Sequence, residues 1–274
     1  MLSSRVMVWC DTVCVRLCCS KYRLDWFPQT LSRNQINYTG KVIVKNGEGI
    51  REEHDWGTFN KLLCEETTND PNFTFGELSY VPGGVRGPLR GHEAFHCLRG
   101  RGILRVWPAE VDDAEPVSIP LGPGSEYYVR GDVTRTVENT GDEPLFGIGF
   151  LCHVDRPCHA HAFSHSPGEG NFLHYHGVDK WVEPLRQEFV EAMYLIESPG
   201  FISTADPLNT TVEDHEIEEG SAVYHPLNTL HRQYNPETSD RANFWIHAGY
   251  YAGAGRPTAG VFDLPEVATW RRPR

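Results

Sequence analysis

Hydrophobic and polar positions alternate in short runs from about residue 40 onward, and Gly, Pro, Asn and Asp bound these runs. Segments with the helical period are nearly absent. Alternation with a period of two is typical of strands that bury one face. The predicted strands are FTFGELSYV, EAFHCLRG, GILRVWP, EYYVRG and PLFGIGFL in the first half, and NFLHYH, EAMYLIES, GSAVYHP and NFWIHAGYY in the second. The pattern therefore predicts an all-β fold.

An internal repeat indicates that one β unit occurs twice. Both copies have a Glu in a predicted strand, then a Gly, a turn residue six positions later, and an Asn. The first copy contains Glu93, Gly124, Arg130 and Asn139. The second copy contains Glu191, Gly220, Pro226 and Asn235. The repeat predicts two tandem barrels, at 39–152 and 153–274, after an N-terminal extension at 1–38.

The second half contains two histidine motifs. Gly168 is followed after five residues by His174-Tyr175-His176. The second motif contains Gly220, Pro226, Asn228, His231 and Asn235. Together they resemble the two motifs of the cupin superfamily, G-x5-H-x-H-x(3,4)-E-x6-G and G-x5-P-x-G-x2-H-x3-N. They depart from it because fourteen residues separate His176 from Glu191, and because Ser198 and Asn228 replace glycines.

The resemblance implies a bicupin fold, with two double-stranded β-helix (jelly-roll) barrels, and a metal site in the second barrel. The implied ligands are His174, His176, Glu191 and His231. Strand geometry agrees, because residues i and i+2 point to the same side of a strand. Three imidazoles and one carboxylate suit Fe(II), Mn(II), Ni(II), Co(II), Cu(II) or Zn(II). We expect one divalent transition metal ion per chain, with Fe(II) or Mn(II) favoured.

A second H-x-H pair, His159-Ala160-His161, competes with the first. It lacks a glycine five residues upstream and lies at the predicted junction between the barrels. We interpret it mainly as a polar connecting segment, and a role at the metal site stays open.

The first half keeps the barrel pattern but lacks the ligands. Arg135 occupies the position of the second-motif histidine, and an arginine cannot coordinate a metal. We predict that Arg135, with Arg86, places positive charge near Glu93 where the ion would lie. His92 and His96 are interpreted as ordinary strand histidines. The first barrel is expected to be free of metal and to stabilise the fold or form a homo-oligomer interface.

Four protein ligands leave two open positions on an octahedral ion, enough for a bidentate substrate or for substrate and dioxygen. The resemblance implies an enzyme acting on a small oxygen-rich substrate, enolisable or carboxylated, with Glu191 as the base. A dioxygenase or other oxidoreductase comes first, because the ligand set is similar to that of quercetinase-like cupins. The alternatives are a redox-neutral isomerase, decarboxylase or lyase, and a non-catalytic binding or storage bicupin.

Five further residues are predicted to bind the substrate. Phe172 and Met193 each lie two residues from a predicted metal ligand, so each shares the face of that ligand on its strand. Both are expected to line the pocket, although a core role is equally compatible. Gln233, two residues beyond His231, is the best polar candidate for orienting substrate. Lys180 and Arg186 lie in the insertion after His176 and could meet a substrate carboxylate.

The composition of the chain limits the classes of partner that we expect. The net charge of −12 argues against a nucleic-acid or anionic-membrane partner, because both require clustered Lys and Arg. A small-molecule substrate is therefore expected. The eight cysteines form no regular disulfide framework, so we expect reduced thiols and a cytoplasmic location.

Overall fold

The computed structural model describes residues 7–9, 43–107, 115–169, 174–175, 189–205, 212–225 and 230–251. The strands before residue 153 are β1 Met7–Trp9, β2 Ile43–Val44, β3 Ile50–His54, β4 Gly57–Leu63, β5 Phe73–Tyr80, β6 Val85–Leu89, β7 His92–Arg99, β8 Gly102–Trp107, β9 Val117–Leu121, β10 Glu126–Val129, β11 Thr134–Asn139 and β12 Leu145–Cys152. The later strands are β13 Cys158–His165, β14 His174–Tyr175, β15 Phe189–Glu197, β16 Gly200–Ala205, β17 Val212–Ile217, β18 Ala222–His225, β19 Leu230–Tyr234 and β20 Asn243–Tyr251. The all-β prediction is confirmed, and each of the nine predicted strands overlaps an observed one.

The single helix among the described residues is α1, Glu65–Thr68, a four-residue turn between β4 and β5. The Thr67 hydroxyl accepts a hydrogen bond from the backbone NH of Cys64 at its start. Asn69, with a φ of 56°, ends it in the left-handed conformation. No helix in the described part of the chain is long and apolar enough to cross a membrane.

The strands form four sheets with a repeated strand order. The first two sheets have the orders β1-β10-β7-β12-β5-β4-β3 and β6-β11-β8-β9. The other two have the orders β2-β18-β15-β20-β13 and β14-β19-β16-β17. After β3 and β4 are set aside, each strand of the first pair has a counterpart at the same place in the second pair. The internal repeat is therefore present in the topology.

Two asparagines hold equivalent turns in the two sheet pairs. The side-chain amide of Asn139 donates to the carbonyl groups of Tyr80 and Glu143, each at 2.8 Å. The amide of Asn235 donates to the carbonyl groups of His165 and Arg241, each at 2.9 Å. Both asparagines are buried, and each ties the end of one strand to the loop before another.

Three hydrophobic cores hold the sheets together. One fills the space between the first two sheets and includes Phe95, Leu104 and Val137. A second lies between the other two sheets and contains Met193, Leu195, Ile202, Ile217, Val223 and Trp245. The third joins the large sheet of each pair face to face, through residues such as Phe73, Phe150, Tyr224 and Tyr250. The strands β5, β12, β15 and β20 are therefore buried on both faces.

Residues 158–165 form strand β13 rather than a connecting segment, so our interpretation of His159-Ala160-His161 was wrong. Cys158 and Ala160 are buried in the core between the large sheets, and the two histidines point to the opposite face. Hydrophobic burial on that one face, together with pairing to β20, overrides the polar composition.

The N-terminal part of the chain contributes to both sheet pairs. Strand β1 pairs with β10 in the first pair, whereas β2 pairs with β18 in the second. Val44 of β2 is fully buried in the core between the large sheets.

Candidate metal centre

Glu191 lies on β15, in the middle of the large sheet of the second pair. Val190 and Ala192 face the core between the large sheets, whereas Met193 faces the core within the second pair. Glu191 shares the face of Met193, because their positions differ by two. Its side chain is buried, so a carboxylate is held in the interior of the second sheet pair. A buried carboxylate requires partners that satisfy its charge.

His231 supplies the first of these partners. It lies on β19 in the small sheet, and its Nε2 atom is 2.7 Å from Oε2 of Glu191. His231 is fully buried. The contact therefore joins the two sheets across the interior of the second pair, as the motif predicts.

His225 is a further member of this group, and the sequence interpretation missed it. It is the last residue of β18 and lies directly opposite Glu191 in the strand register. Its ring stacks on that of His231, with centroids 3.8 Å apart and planes at 10°. Gln233 places its Nε2 atom 3.1 Å from Nε2 of His225. The predicted polar residue thus contacts a histidine of the site.

We call Glu191, His225 and His231 the Glu191 centre. Their ligand atoms lie within 4.8 Å of one another, and all three residues are buried. One carboxylate and two imidazoles form a mixed oxygen and nitrogen set that fits a divalent transition metal. His174 on β14 pairs with His231 in register. His176 lies outside the described residues.

The second carboxylate oxygen of Glu191 contacts another histidine. Nε2 of His247, on β20, is 2.8 Å from Oε1 of Glu191. Nδ1 of His247 is in turn 3.0 Å from Nε2 of His159 on β13. His161 lies opposite His247 in the strand register, and their ring centroids are 4.9 Å apart. We call His159, His161 and His247 the histidine triad.

Burial lowers the pKa of His161 to about 3, and the neighbouring His247 adds to the effect. His161 is therefore a neutral imidazole at physiological pH, with a lone pair on one ring nitrogen. The ring can therefore act as a metal ligand or as a hydrogen-bond acceptor.

Of the other predicted substrate residues, the structure describes Met193 only. Met193 is fully buried in the core of the second pair, next to His247 in the strand register. It lies on the face of Glu191, as predicted, and packs against apolar residues there. Phe172, Lys180 and Arg186 lie outside the described residues.

The equivalent position in the first pair contains an arginine–glutamate cluster. Nη1 of Arg86 donates to both carboxylate oxygens of Glu93 at 3.0 Å. Nη2 of Arg135 donates to Oε2 at 2.6 Å, and the Tyr127 hydroxyl donates to Oε1 at 2.7 Å. The prediction that Arg135 and Arg86 place their charges against Glu93 is confirmed.

Burial alone would raise the pKa of Glu93, but the charges of Arg135 and Arg86 outweigh it. The net effect lowers this pKa to about 2. The cluster is thus an ionised carboxylate neutralised by two guanidinium groups.

His92 and His96 contact groups other than Glu93. The ring of His92 contacts the Tyr128 hydroxyl at 2.6 Å and Asp155 at 2.8 Å. Nδ1 of His96 is 2.8 Å from Oε1 of Glu126. Both histidines of β7 therefore have polar partners of their own, on β10 and between β12 and β13.

Sequence reasoning missed His225 and His247 because the motifs specify neither residue: His247 lies outside them, and His225 occupies an unspecified position between Gly220 and Pro226. Alternation in NFWIHAGYY places His247 on the face of Trp245, which is buried in the core of the second pair. His225 immediately precedes Pro226, within the second motif. A polar residue on the buried face of an otherwise apolar strand was the available signal for both.

Comparison of the sequence with known protein families and with curated proteins gives no match. Solved structures do match. The oxalate decarboxylase of Lactobacillus farciminis, as a formate complex, is 8% identical, with a TM-score of 0.62 over 78% of this chain and 87% of that chain. This chain has a cupin fold. A Bacillus subtilis oxalate decarboxylase, described with Mn(II) centres, is 10% identical, with a TM-score of 0.59 over 79% of this chain and 78% of that chain. At these identities the cupin similarity establishes the fold and not the reaction.

Proposed function

We propose that this chain is a metal-dependent cupin enzyme whose Glu191 centre binds one divalent transition metal ion, with Fe(II) or Mn(II) favoured. The observation that carries the proposal is the buried contact between Glu191 and His231, at 2.7 Å across the sheet pair. His174 lies opposite His231 in register and would be a further ligand, together with His176. The substrate would be a small oxygen-rich molecule, enolisable or carboxylated.

The bound ion would act as a Lewis acid toward a substrate oxygen. Glu191 would leave the ion to serve as the base that takes a proton from the substrate. His247 would hold the carboxylate of Glu191 in place, because Nε2 of His247 lies 2.8 Å from Oε1 of Glu191. Gln233 would orient His225, and the surrounding apolar core would exclude water. Phe172, Met193, Lys180 and Arg186 remain proposed contacts to the substrate.

We further propose that the chain has two domains, 39–152 and 153–274, after the extension 1–38. Each domain would be built on one sheet pair, with β1 of the extension added to the first pair and β2 of the first domain added to the second. The repeated strand order and the separate core of each pair support this division. The arginine–glutamate cluster would take the place of an ion in the first domain, which would then act as a partner barrel or a homo-oligomer interface. A cytoplasmic chain with no nucleic-acid or membrane partner fits the acidic composition.

Two reaction classes fit the proposed site. Oxygen-dependent oxidation fits the three histidines and one glutamate of the predicted ligand set. Decarboxylation of a small carboxylic acid fits the structural similarity to oxalate decarboxylases. Of the two, the structural similarity favours decarboxylation. A non-catalytic binding protein is the alternative from another class.

The experiment compares metal-free protein with protein reloaded with Mn(II) or Fe(II). Oxalate, enolisable keto acids and flavonoid-like phenols are offered, while oxygen uptake and carbon dioxide release are recorded. We expect metal-dependent turnover that His231→Ala abolishes and that His215→Ala, remote on β17, retains. Carbon dioxide without oxygen uptake indicates decarboxylation, whereas oxygen uptake indicates oxidation. Ligand binding without turnover on any substrate would contradict the enzyme proposal.

A further inference from the structure

The histidine triad lies next to the Glu191 centre but outside the cupin motifs. Its three rings come from β13 and β20, adjacent strands of one sheet. The ligand atoms of His159, His161 and His247 lie within 4.8 Å of one another. All three side chains are half-buried, in contrast to the fully enclosed Glu191 centre.

We infer that the histidine triad is a second metal site, which binds a borderline divalent cation such as Zn(II), Co(II) or Cu(II). Two nitrogens bound to one ion at about 2.1 Å each are separated by about 3.0–3.4 Å at ordinary coordination angles. Nδ1 of His247 and Nε2 of His159 are already 3.0 Å apart. Their separation therefore already matches that of two nitrogens on one ion, and rotation of the rings, with loss of the bridging proton, would direct both lone pairs to it.

The strand register explains why the third ring is in place. His159 and His161 are two residues apart on β13 and project from the same face. Their ring centroids are 5.1 Å apart, and the ring of His161 is 4.9 Å from that of His247. Three imidazoles provide nitrogen ligands only, a set that favours Zn(II), Co(II) or Cu(II) over Mg(II) or Ca(II).

Glu191 provides the carboxylate acceptor to which a metal-bound histidine usually donates its second ring NH. A histidine that binds a metal through one nitrogen commonly donates its other NH to a carboxylate, which fixes the ring. Nε2 of His247 lies 2.8 Å from Oε1 of Glu191, so Nδ1 is the nitrogen directed toward His159. Glu191 would thus be a ligand of one site and an orienting group of the other.

The second site should be the weaker of the two, because the triad contains no anionic ligand while the Glu191 centre contains one. The chain would therefore retain one ion after dialysis and bind another only on titration. This inference rests on the proposed function for the identity of the first site, but the triad itself is independent of the cupin motifs.

The test is a Co(II) titration of metal-free protein, followed by absorption and by calorimetry. We expect two binding events in the wild type and in His215→Ala, the control for a histidine remote from both sites. His159→Phe combined with His161→Phe keeps ring packing but removes two ligands, so the weaker event should weaken about 100-fold or disappear. Near-ultraviolet circular dichroism checks that this variant is folded.

His231→Ala should show the converse result, loss of the tighter event with retention of the weaker one. Retention of both events in the double phenylalanine variant, or a single event in the wild type, overturns the second site and leaves the Glu191 centre standing. Retention of both events in His231→Ala overturns the Glu191 centre instead. If the double variant is unfolded, His161→Gln alone serves, and an unchanged weaker event there also overturns the inference.

Discussion

Glu93 and Glu191 occupy equivalent strands, β7 and β15, yet their buried carboxylates are satisfied in different ways. Glu93 is neutralised by Arg86 and Arg135 within its own sheet pair. Glu191 contacts the imidazoles of His231 and His247. Replacing histidine by arginine at one position therefore exchanges a metal-binding group for a permanent positive charge.

The arginine–glutamate cluster should be important for stability. Glu93→Gln leaves two buried guanidinium groups without a counter-charge, so we expect a loss of about 3–5 kcal/mol in the free energy of unfolding. Glu138→Gln is the matched control, because Glu138 pairs with Arg105 nearer the surface and should cost about 1 kcal/mol or less. Urea unfolding at neutral pH measures both. Equal losses in the two variants would show that the buried charges are not specially stabilising.

The same cluster predicts a pH dependence. The pKa of Glu93 falls from its ordinary value of 4.5 to about 2 in the folded protein. Its contribution to stability is therefore complete above about pH 4.5 and is lost as the pH falls toward 2. We expect the stability advantage of wild type over Glu93→Gln to shrink across this window, as measured by urea unfolding at successive pH values. An advantage that stays constant down to pH 2 would contradict the assigned charge interaction.

At the residue scale, the motifs predicted that Glu191 and His231 point into the same barrel as ligands of one ion, and the structure brings the two side chains together. They did not predict His225 or His247. These two residues reach the site because β15 pairs with β18 and β20. The spacing of residues in the sequence does not show which strands become neighbours in a sheet.

At the scale of elements, alternation found strands with one clearly apolar face and missed others. Strand β17 has the sequence VEDHEI, and its charged residues lie at the exposed edge of a sheet. Strand β13 was missed because the face opposite Cys158 and Ala160 carries the polar residues His159 and His161, where an apolar side chain was expected. Helix α1 was missed because four residues are too short for a periodic signal.

The asparagine turns provide a prediction at this scale. Asn235→Ala removes the donor to two carbonyl groups, those of His165 and Arg241. We expect a loss on the order of 2–4 kcal/mol in the free energy of unfolding, since buried acceptors lose their partner. Asn60→Ala, which removes one half-buried bond to Glu77, serves as the control and should cost about 1 kcal/mol. If both variants unfold at the same urea concentration, the turn is not held by Asn235.

At the scale of the whole molecule, the two sheet pairs share a core. The Phe73 ring lies 5.2 Å from that of Phe150 and 5.4 Å from that of Tyr224, which belongs to the other sheet pair. The internal repeat predicted two similar units, and the strand order agrees with it. The repeat did not predict that their large sheets pack face to face, although the apolar residues on both faces of EAMYLIE were a signal of double-sided burial.

A shared core predicts cooperative unfolding. We expect one denaturant transition in the wild type, with tryptophan fluorescence and far-ultraviolet circular dichroism coinciding. Phe73→Ala should cost about 3–5 kcal/mol and lower the transition midpoint for both probes. Phe201→Ala, on a partly buried position of β16 away from this core, is the control and should cost less. Two separate transitions in the wild type would show that the sheet pairs unfold independently.

The proposed function requires the second sheet pair to hold a metal ion through the predicted ligands. The most direct measurement is the metal content of dialysed wild type, His174→Ala, His231→Ala and the control His215→Ala by inductively coupled plasma mass spectrometry. We predict about one ion per chain in wild type and control and a small fraction of that in the two ligand variants, with all four proteins folded. Wild-type metal content in both His174→Ala and His231→Ala would contradict the assignment of the site.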